Sequence, residues 1–132
     1  MVRIGQILCA LVMASGTWQQ TPLDTAAIDR ALAPGQMQGD VYRVGLPRTD
    51  LRVTVDGIAI KPGLALGSWA AFKRDGNEAV VHGDLVLTES EINPLISALE
   101  AGHFQITALH NHLLRETPRI MYVHYWGRGE NR

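Results

Sequence analysis

The sequence has a single cysteine among 132 residues, Cys9, and it lies in an apolar run near the N-terminus. The rest of the chain therefore has no disulfide, thiolate metal site or cysteine nucleophile. An excess of charge is also missing, since 12 lysine and arginine residues stand against 13 aspartate and glutamate residues. This balance gives no electrostatic reason to expect nucleic acid or a membrane surface as a partner. The apolar run is too short for a transmembrane helix, which needs about 20 residues.

The N-terminal segment has the pattern of a signal peptide. Arg3 is its only charge, residues 4–14 are largely apolar, and small residues follow. A positive start, a short apolar core and a small-residue cleavage region are typical of secreted proteins. We therefore predict a signal peptide over residues 1–16 and a single secreted, extracellular domain over residues 17–132. The alternative is an N-terminal helix that the mature protein retains.

Short strand-like segments dominate the rest of the chain. They cover residues 41–44, 51–55, 58–60, 64–72, 79–82, 85–87, 104–112 and 120–126. Asp56-Gly57 and Asp75-Gly76-Asn77 are typical of turns between paired strands. The pattern predicts a mainly β fold, a compact jelly roll or barrel with one or two short peripheral helices.

Two helices are predicted at the edges of this β structure. The first opens at Thr21-Pro22, as N-cap and first helical residue, and ends near Ala33-Pro34-Gly35. The second begins at the capping-box pattern Thr88-Glu-Ser-Glu91 and carries apolar residues at helical spacing. Gly102 is the expected end of this helix.

Three of the five histidines are predicted to share one surface. The even-numbered residues of segment 104–112 are apolar up to His110 and His112, and alternate residues of a strand lie on one face. His124 is also even-numbered in segment 120–126. If the two segments pair as antiparallel strands, with His110 across from His124, the three imidazoles converge at the end of an apolar row.

Three converging imidazoles suit copper, zinc, iron or nickel, and they leave a coordination position open, as catalytic sites do. We therefore predict that the metal ligands and catalytic residues are His110, His112 and His124. The other interpretation is a hydrogen-bonded histidine cluster without metal. His82 and His103 fall at a turn and a helix end, where solvated or capping histidines are expected. Candidates for a fourth ligand or a supporting contact are Glu116, Gln105, which has the wrong parity in a regular strand, and Glu89.

Aromatic residues surround His124 in the sequence, and we predict that they bind substrate: Tyr122, Tyr125 and Trp126. Aromatic rings pack against the apolar faces of sugar rings, although they more often belong to a core. Trp69, in another segment, is predicted to be a core residue.

Several motifs together resemble the LppY/LpqO family: GDVYRV at 39–44, PRTDL at 47–51, LALGSW at 64–69, GDLVLTE at 83–89 and TALHNH at 107–112. The resemblance continues to His124 and covers nearly the whole mature chain. It implies an exported protein with a cupin-like jelly roll. It also implies that His110, His112 and Glu116 correspond to the first cupin metal motif.

A single domain of this size also resembles small bacterial copper enzymes that oxidise cellulose. That resemblance implies a copper cofactor, a flat face for cellulose or a related β-glucan, a homodimer and peroxide-dependent C1 oxidation. No histidine precedes His82, so the N-terminal histidine brace of lytic polysaccharide monooxygenases cannot form. The alternatives are a non-catalytic carbohydrate- or metal-binding module and a cupin-type sugar isomerase or hydrolytic metalloenzyme.

Overall fold

The computed structural model describes residues 21–130. The predicted signal peptide and Cys9 lie outside the described residues. In chain order the elements are α1 (Thr25–Ala31), β1 (Gln36–Gln38), β2 (Val41–Pro47), β3 (Val53–Val55), β4 (Ile58–Ile60), α2 (Pro62–Ala65), β5 (Gly67–Asp75), β6 (Glu78–Thr88), α3 (Glu89–Ala101), β7 (Gln105–His110), β8 (Glu116–Thr117) and β9 (Ile120–Gly129). None of the helices between residues 21 and 130 has the length and apolar character to cross a membrane.

The strands form two antiparallel sheets. The larger sheet has the order β1-β2-β5-β6-β9-β7, and the smaller sheet has the order β4-β3-β8. This architecture confirms the prediction of a mainly β fold with short helices. Directly paired residues of neighbouring strands point to the same side of a sheet, so the registers define two faces of the larger sheet. We call the face that carries Trp69, Asp84 and His124 the site face, and the opposite one the helix face.

The smaller sheet packs on the site face and covers one end of it. Val53 and Ile60 come from the smaller sheet, whereas Val86 and Tyr122 come from the larger one. The cluster that joins the sheets has a buried centre of five residues that are at most 1% exposed: Val53, Leu66, Val86, Ile120 and Tyr122. Burial of each such side chain contributes about 1.5–3 kcal/mol, so this contact is a principal source of stability.

The helix face is covered by α1 and α3. Ile28 of α1 packs against Tyr42 and Val44 of β2. The Tyr42 hydroxyl donates a hydrogen bond to the Asp29 carboxylate over 2.5 Å and accepts one from the Gly35 amide over 3.0 Å. These contacts fix α1 to the sheet from the side opposite the smaller sheet.

Short sequence patterns predicted several element boundaries correctly. The helix α3 begins after Thr88, whose amide donates to the Glu91 carboxylate over 2.8 Å, and it is capped at its end by Gly102. The predicted turn between β3 and β4 has positive φ at both Asp56 (49°) and Gly57 (80°), as a tight turn between paired strands requires.

Several boundaries differ from the prediction. The helix α1 begins at Thr25 rather than at Thr21-Pro22, because Asp24 is the residue whose side chain accepts the Ala27 amide. Segment 64–72 is not one strand, since α2 ends at Ala65 and β5 begins at Gly67. Segments 79–82 and 85–87 belong to one strand, β6, which is paired throughout with β9.

Candidate metal centre

The three predicted histidines do come together on the site face. His110 is the last residue of β7, His124 lies in the middle of β9, and His112 follows β7 by two residues. One nitrogen from each ring lies within 4.8 Å of the other two, which is a spacing that a metal ion could bridge. The ring centroid of His110 is 4.8 Å from that of His112 and 4.9 Å from that of His124.

The way in which they meet differs from the prediction in two respects. His124 is paired with Ala108 and His110 with Tyr122, so the two histidines are diagonal neighbours rather than direct partners. His112 lies beyond the end of β7, so strand parity does not orient it. Its ring is instead stacked on that of Tyr122, with centroids 3.6 Å apart.

A β-bulge in β7 changes the face on which its first residues lie. The register is irregular between Ile106 and Ala108, and Gln105 is consequently paired with Trp126. A bulge inserts one extra residue and so exchanges the faces on either side of it. Gln105 therefore lies on the site face, contrary to its predicted parity, and it is exposed.

Two buried carboxylates accompany the histidines. Asp84, in β6, is 6% exposed and is paired directly with His124; its Oδ1 atom lies 3.9 Å from His124 Nε2. Glu116, in β8, is 7% exposed. Asp84 Oδ1 and both carboxylate oxygens of Glu116 have no hydrogen-bond partner within the described residues. Burial and the charges of Asp84 and Glu116 raise the pKa of Tyr122 to about 12, so both carboxylates act on the tyrosine that stacks against His112.

The donor atoms of the group could hold a metal ion. Although His112 is exposed as a residue, partial desolvation of its ring is the main cause that lowers its pKa; Asp84 opposes this effect, and His110 and His124 add to it. A lower pKa favours the neutral imidazole, which is the form that binds metal. The Nδ1 atom of His124 is buried without a hydrogen-bond partner in the part of the chain described. The group thus offers lone pairs and nearby negative charge, the two things that a cation requires.

His82 belongs to the same face, and the prediction that it is a solvated or capping residue was wrong. It lies in the middle of β6, half-buried, with Nδ1 3.0 Å from the Tyr125 carbonyl oxygen. Its ring is parallel to that of His124, with centroids 5.6 Å apart. The local sequence His82-Gly83-Asp84 resembles a turn, and this hid both His82 and Asp84. Their equal parity in an otherwise apolar strand is the signal that could have found them.

The aromatic residues are divided between the two faces. Trp126 is 41% exposed on the site face, so its predicted role in substrate binding stays a prediction. Tyr125 is 8% exposed on the helix face, where it packs against Phe104, so it is a core residue and not part of a substrate surface. Tyr122 is on the site face but only 1% exposed, and its hydroxyl donates to the Ala65 carbonyl over 2.7 Å. Its ring is stacked against those of His110 and His112, so it packs beside the histidines and does not face a substrate.

Trp69 is half-buried on the site face, which corrects the prediction that it lies in the core. Its ring meets that of His82 edge-on, with centroids 5.3 Å apart, and the Arg43 guanidinium lies 3.9 Å above it. Arg43, Trp69, His82 and Trp126 thus form a row that crosses β2, β5, β6 and β9.

The remaining candidates lie away from the histidines. Glu89 is exposed at the first position of α3, and this helix lies near Leu87 on the helix face. His103 is exposed in the turn after α3, where its φ is 62°. The prediction of a solvated histidine at position 103 is confirmed.

Comparison with known proteins places the chain in a family without assigning it an activity. A family model described as "Domain of Unknown Function (DUF1259)" matches residues 26–132. No curated protein and no solved structure matches the chain. Since the match covers nearly all of the described domain, the chain belongs to this family of unknown function.

Proposed function

We propose that the protein is a secreted copper-dependent oxidoreductase that cleaves cellulose or a related β-glucan by oxidation at C1, with hydrogen peroxide as co-substrate. The observation that carries this proposal is the group His110, His112 and His124, whose donor nitrogens lie within 4.8 Å of one another on a face with an exposed tryptophan.

The donor chemistry supports copper. Imidazole nitrogens bind copper well, and among divalent first-row ions copper generally binds a given nitrogen site most tightly. Three such donors leave a coordination position free for a small co-substrate. A bound copper ion would supply one-electron redox chemistry toward peroxide. Asp84 and Glu116, both buried, would place negative charge near a bound cation, where water screens little.

The row of Arg43, Trp69, His82 and Trp126 supports a polysaccharide as substrate. Trp126 presents 41% of its surface to solvent, and aromatic rings pack against the apolar C–H faces of pyranose rings. Arg43, which lies over the ring of Trp69, and His82, which lies between the two tryptophans, add hydrogen-bonding groups to the row. Because His82 stacks on His124, a sugar held along the row lies next to the histidine group.

The overall reaction balances with one peroxide per cleavage. The C1–H bond of a glucosyl unit becomes C1–OH, and the second oxygen of the peroxide leaves as water. The hydroxylated C1 then expels the 4-hydroxyl of the neighbouring sugar and becomes a lactone, which water opens to an aldonic acid. The protein's part is to hold the chain, orient C1–H and limit the access of water.

Two further features belong to the proposal. The H-x-H-x3-E pattern at His110, His112 and Glu116 favours a cupin-type site of the LppY/LpqO kind, which the resemblance of the sequence implies. The resemblance to small bacterial copper enzymes favours a homodimer, which light scattering of the mature protein would test.

The test uses the mature protein loaded with one equivalent of copper, a small amount of reductant, fed hydrogen peroxide and microcrystalline cellulose. We expect soluble aldonic acids, identified by mass spectrometry, and we expect none from His112→Ala. The control is His103→Asn, which changes a histidine outside the group and tolerates positive φ. Stoichiometric copper binding without oxidised product from cellulose or any other glycan would instead favour a binding module.

A further inference from the structure

Asp84 has a buried carboxylate oxygen that no other described residue compensates by a hydrogen bond. Its side chain is 6% exposed, and Oδ1 has no hydrogen-bond partner among residues 21–130. A buried carboxylate without a partner is costly, because the protein interior replaces little of its lost hydration. Its nearest basic neighbour is the imidazole of His124, with Nε2 at 3.9 Å from Oδ1.

The imidazole of His124 also has a buried polar atom without a hydrogen-bond partner among the described residues. Its Nδ1 atom is buried and has no hydrogen-bond partner within the described chain. A neutral imidazole carries one N–H donor and one lone pair, on different nitrogens. If the proton is on Nε2, it faces the carboxylate of Asp84, and the lone pair on Nδ1 is left for a cation.

We propose that Asp84 is a positioning residue for the metal centre: its carboxylate accepts the Nε2–H of His124, so that His124 offers Nδ1 to the ion. The inference rests on the proposed metal site. Metal-bound histidines usually donate their other N–H to a carboxylate or carbonyl, which fixes the tautomer and makes the ring a stronger ligand.

The arrangement of strands explains why Asp84 can act in this way. Asp84 is the direct partner of His124 across β6 and β9 and of Trp69 across β5 and β6. Its backbone is thus held from both sides. A change of about 1 Å in side-chain position closes the 3.9 Å separation to hydrogen-bond length. Asp84 is not a member of the group whose donor atoms lie within 4.8 Å of one another, so it acts through His124.

The first experiment measures zinc affinity by competition with a chelator. Zinc has no redox chemistry, so the readout does not depend on activity. We expect Asp84→Ala to weaken zinc binding 10–100-fold. Asp84→Asn, which keeps the shape and one acceptor oxygen, should lose less. Asp40→Asn, which changes an exposed aspartate paired with Lys73, should match the wild type.

The second experiment reads the tautomer of His124 directly. In protein with ¹⁵N-labelled histidine and bound zinc, long-range ¹H–¹⁵N correlation spectra should show a proton on Nε2 and the metal on Nδ1. The wild-type protein carries this readout, so it does not depend on whether a variant folds. Zinc on Nε2 of His124, or equal affinities for wild type and both Asp84 variants, would overturn the inference while leaving the metal site in place. Failure of the wild type to bind zinc and copper would overturn both.

Discussion

The imidazole of His112 lies flat on the phenol ring of Tyr122, with centroids 3.6 Å apart and planes inclined by 12°. Tyr122 is itself fixed, because it is buried between the sheets and its hydroxyl donates to the Ala65 carbonyl. His112 lies in a loop after β7, where the backbone alone does not determine its direction. The stack with Tyr122 therefore holds a loop residue in the position that the proposed metal site requires.

This relationship predicts different results for two substitutions of Tyr122. Tyr122→Phe removes the hydrogen bond to Ala65 but keeps the ring, so unfolding should become easier by about 1 kcal/mol with zinc affinity unchanged. Tyr122→Leu removes the ring as well, and should cost about 2–4 kcal/mol and weaken zinc binding at least tenfold. Urea unfolding and zinc titration measure the two quantities. Equal zinc affinities for the two variants would show that the stack does not orient His112.

Metal should stabilise the folded protein through the three histidines. A ligand that binds only the folded state adds about 2.7 kcal/mol when its free concentration is 100 times Kd. Copper or zinc should therefore raise the thermal unfolding temperature of the wild type. His112→Ala should remove stoichiometric loading and this increase, yet unfold cooperatively without metal, because His112 is exposed. His103→Asn should respond as the wild type does. An undiminished increase in His112→Ala would rule out the site.

The sequence was sufficient to find the three histidines, because alternation along a strand is a local property. His110 and His124 share a face since each follows the period of two in its own strand. His112 does lie beside the other two histidines, but the reason given for it was partly wrong, since it lies outside β7. What brings it to the others is Tyr122, a contact that no local pattern predicts.

The sequence was not sufficient for Asp84, His82 or Tyr125. Gly83-Asp84 resembles a turn in isolation and stays extended only because β5 and β9 pair on either side of it. This pairing is a property of the folded chain. The predicted surface role of Tyr125 failed for another non-local reason, because Phe104 and α3 lie on the face to which Tyr125 points.

Acid should destabilise the protein through Glu91. Hydrogen bonds from Arg48, and to a smaller extent from Thr88, lower the pKa of the Glu91 carboxyl. A group with a lower pKa in the folded state stabilises the protein above its unfolded pKa, about 4.3 for glutamate. This stabilisation is lost as the pH falls through the folded pKa. Asp50, whose pKa is lowered to about 2 by Arg48, extends the loss to more acidic pH.

Glu91→Gln isolates this contribution. The variant should be less stable than the wild type by about 1 kcal/mol at pH 7, because it weakens both the cap of α3 and the pair with Arg48. It should also lose less stability between pH 5 and pH 3. Urea unfolding across this range measures both effects. Glu100→Gln, at the exposed end of the same helix, should keep the wild-type pH dependence of the unfolding free energy. If the unfolding free energy of Glu91→Gln falls as steeply with acid as that of the wild type, Glu91 is not the cause of the loss.

The ring of Tyr125 leaves room only for glycine at position 83. A substitution there tests whether packing on the helix face affects the histidines on the site face. A Cβ atom added at Gly83 would overlap the Tyr125 ring, which is itself held edge-on by Phe104 with centroids 5.7 Å apart. Because of this overpacking, Gly83→Ala should lower the free energy of unfolding by about 1–3 kcal/mol. Since Gly83 lies between His82 and Asp84, the strained strand should also weaken zinc binding.

Gly45→Ala is the matched control, because a Cβ there meets nothing within 4 Å, and it should change stability by less than about 0.5 kcal/mol. Equal unfolding free energies for the two variants would show that β6 yields to the methyl group and that Gly83 is not needed for the close approach.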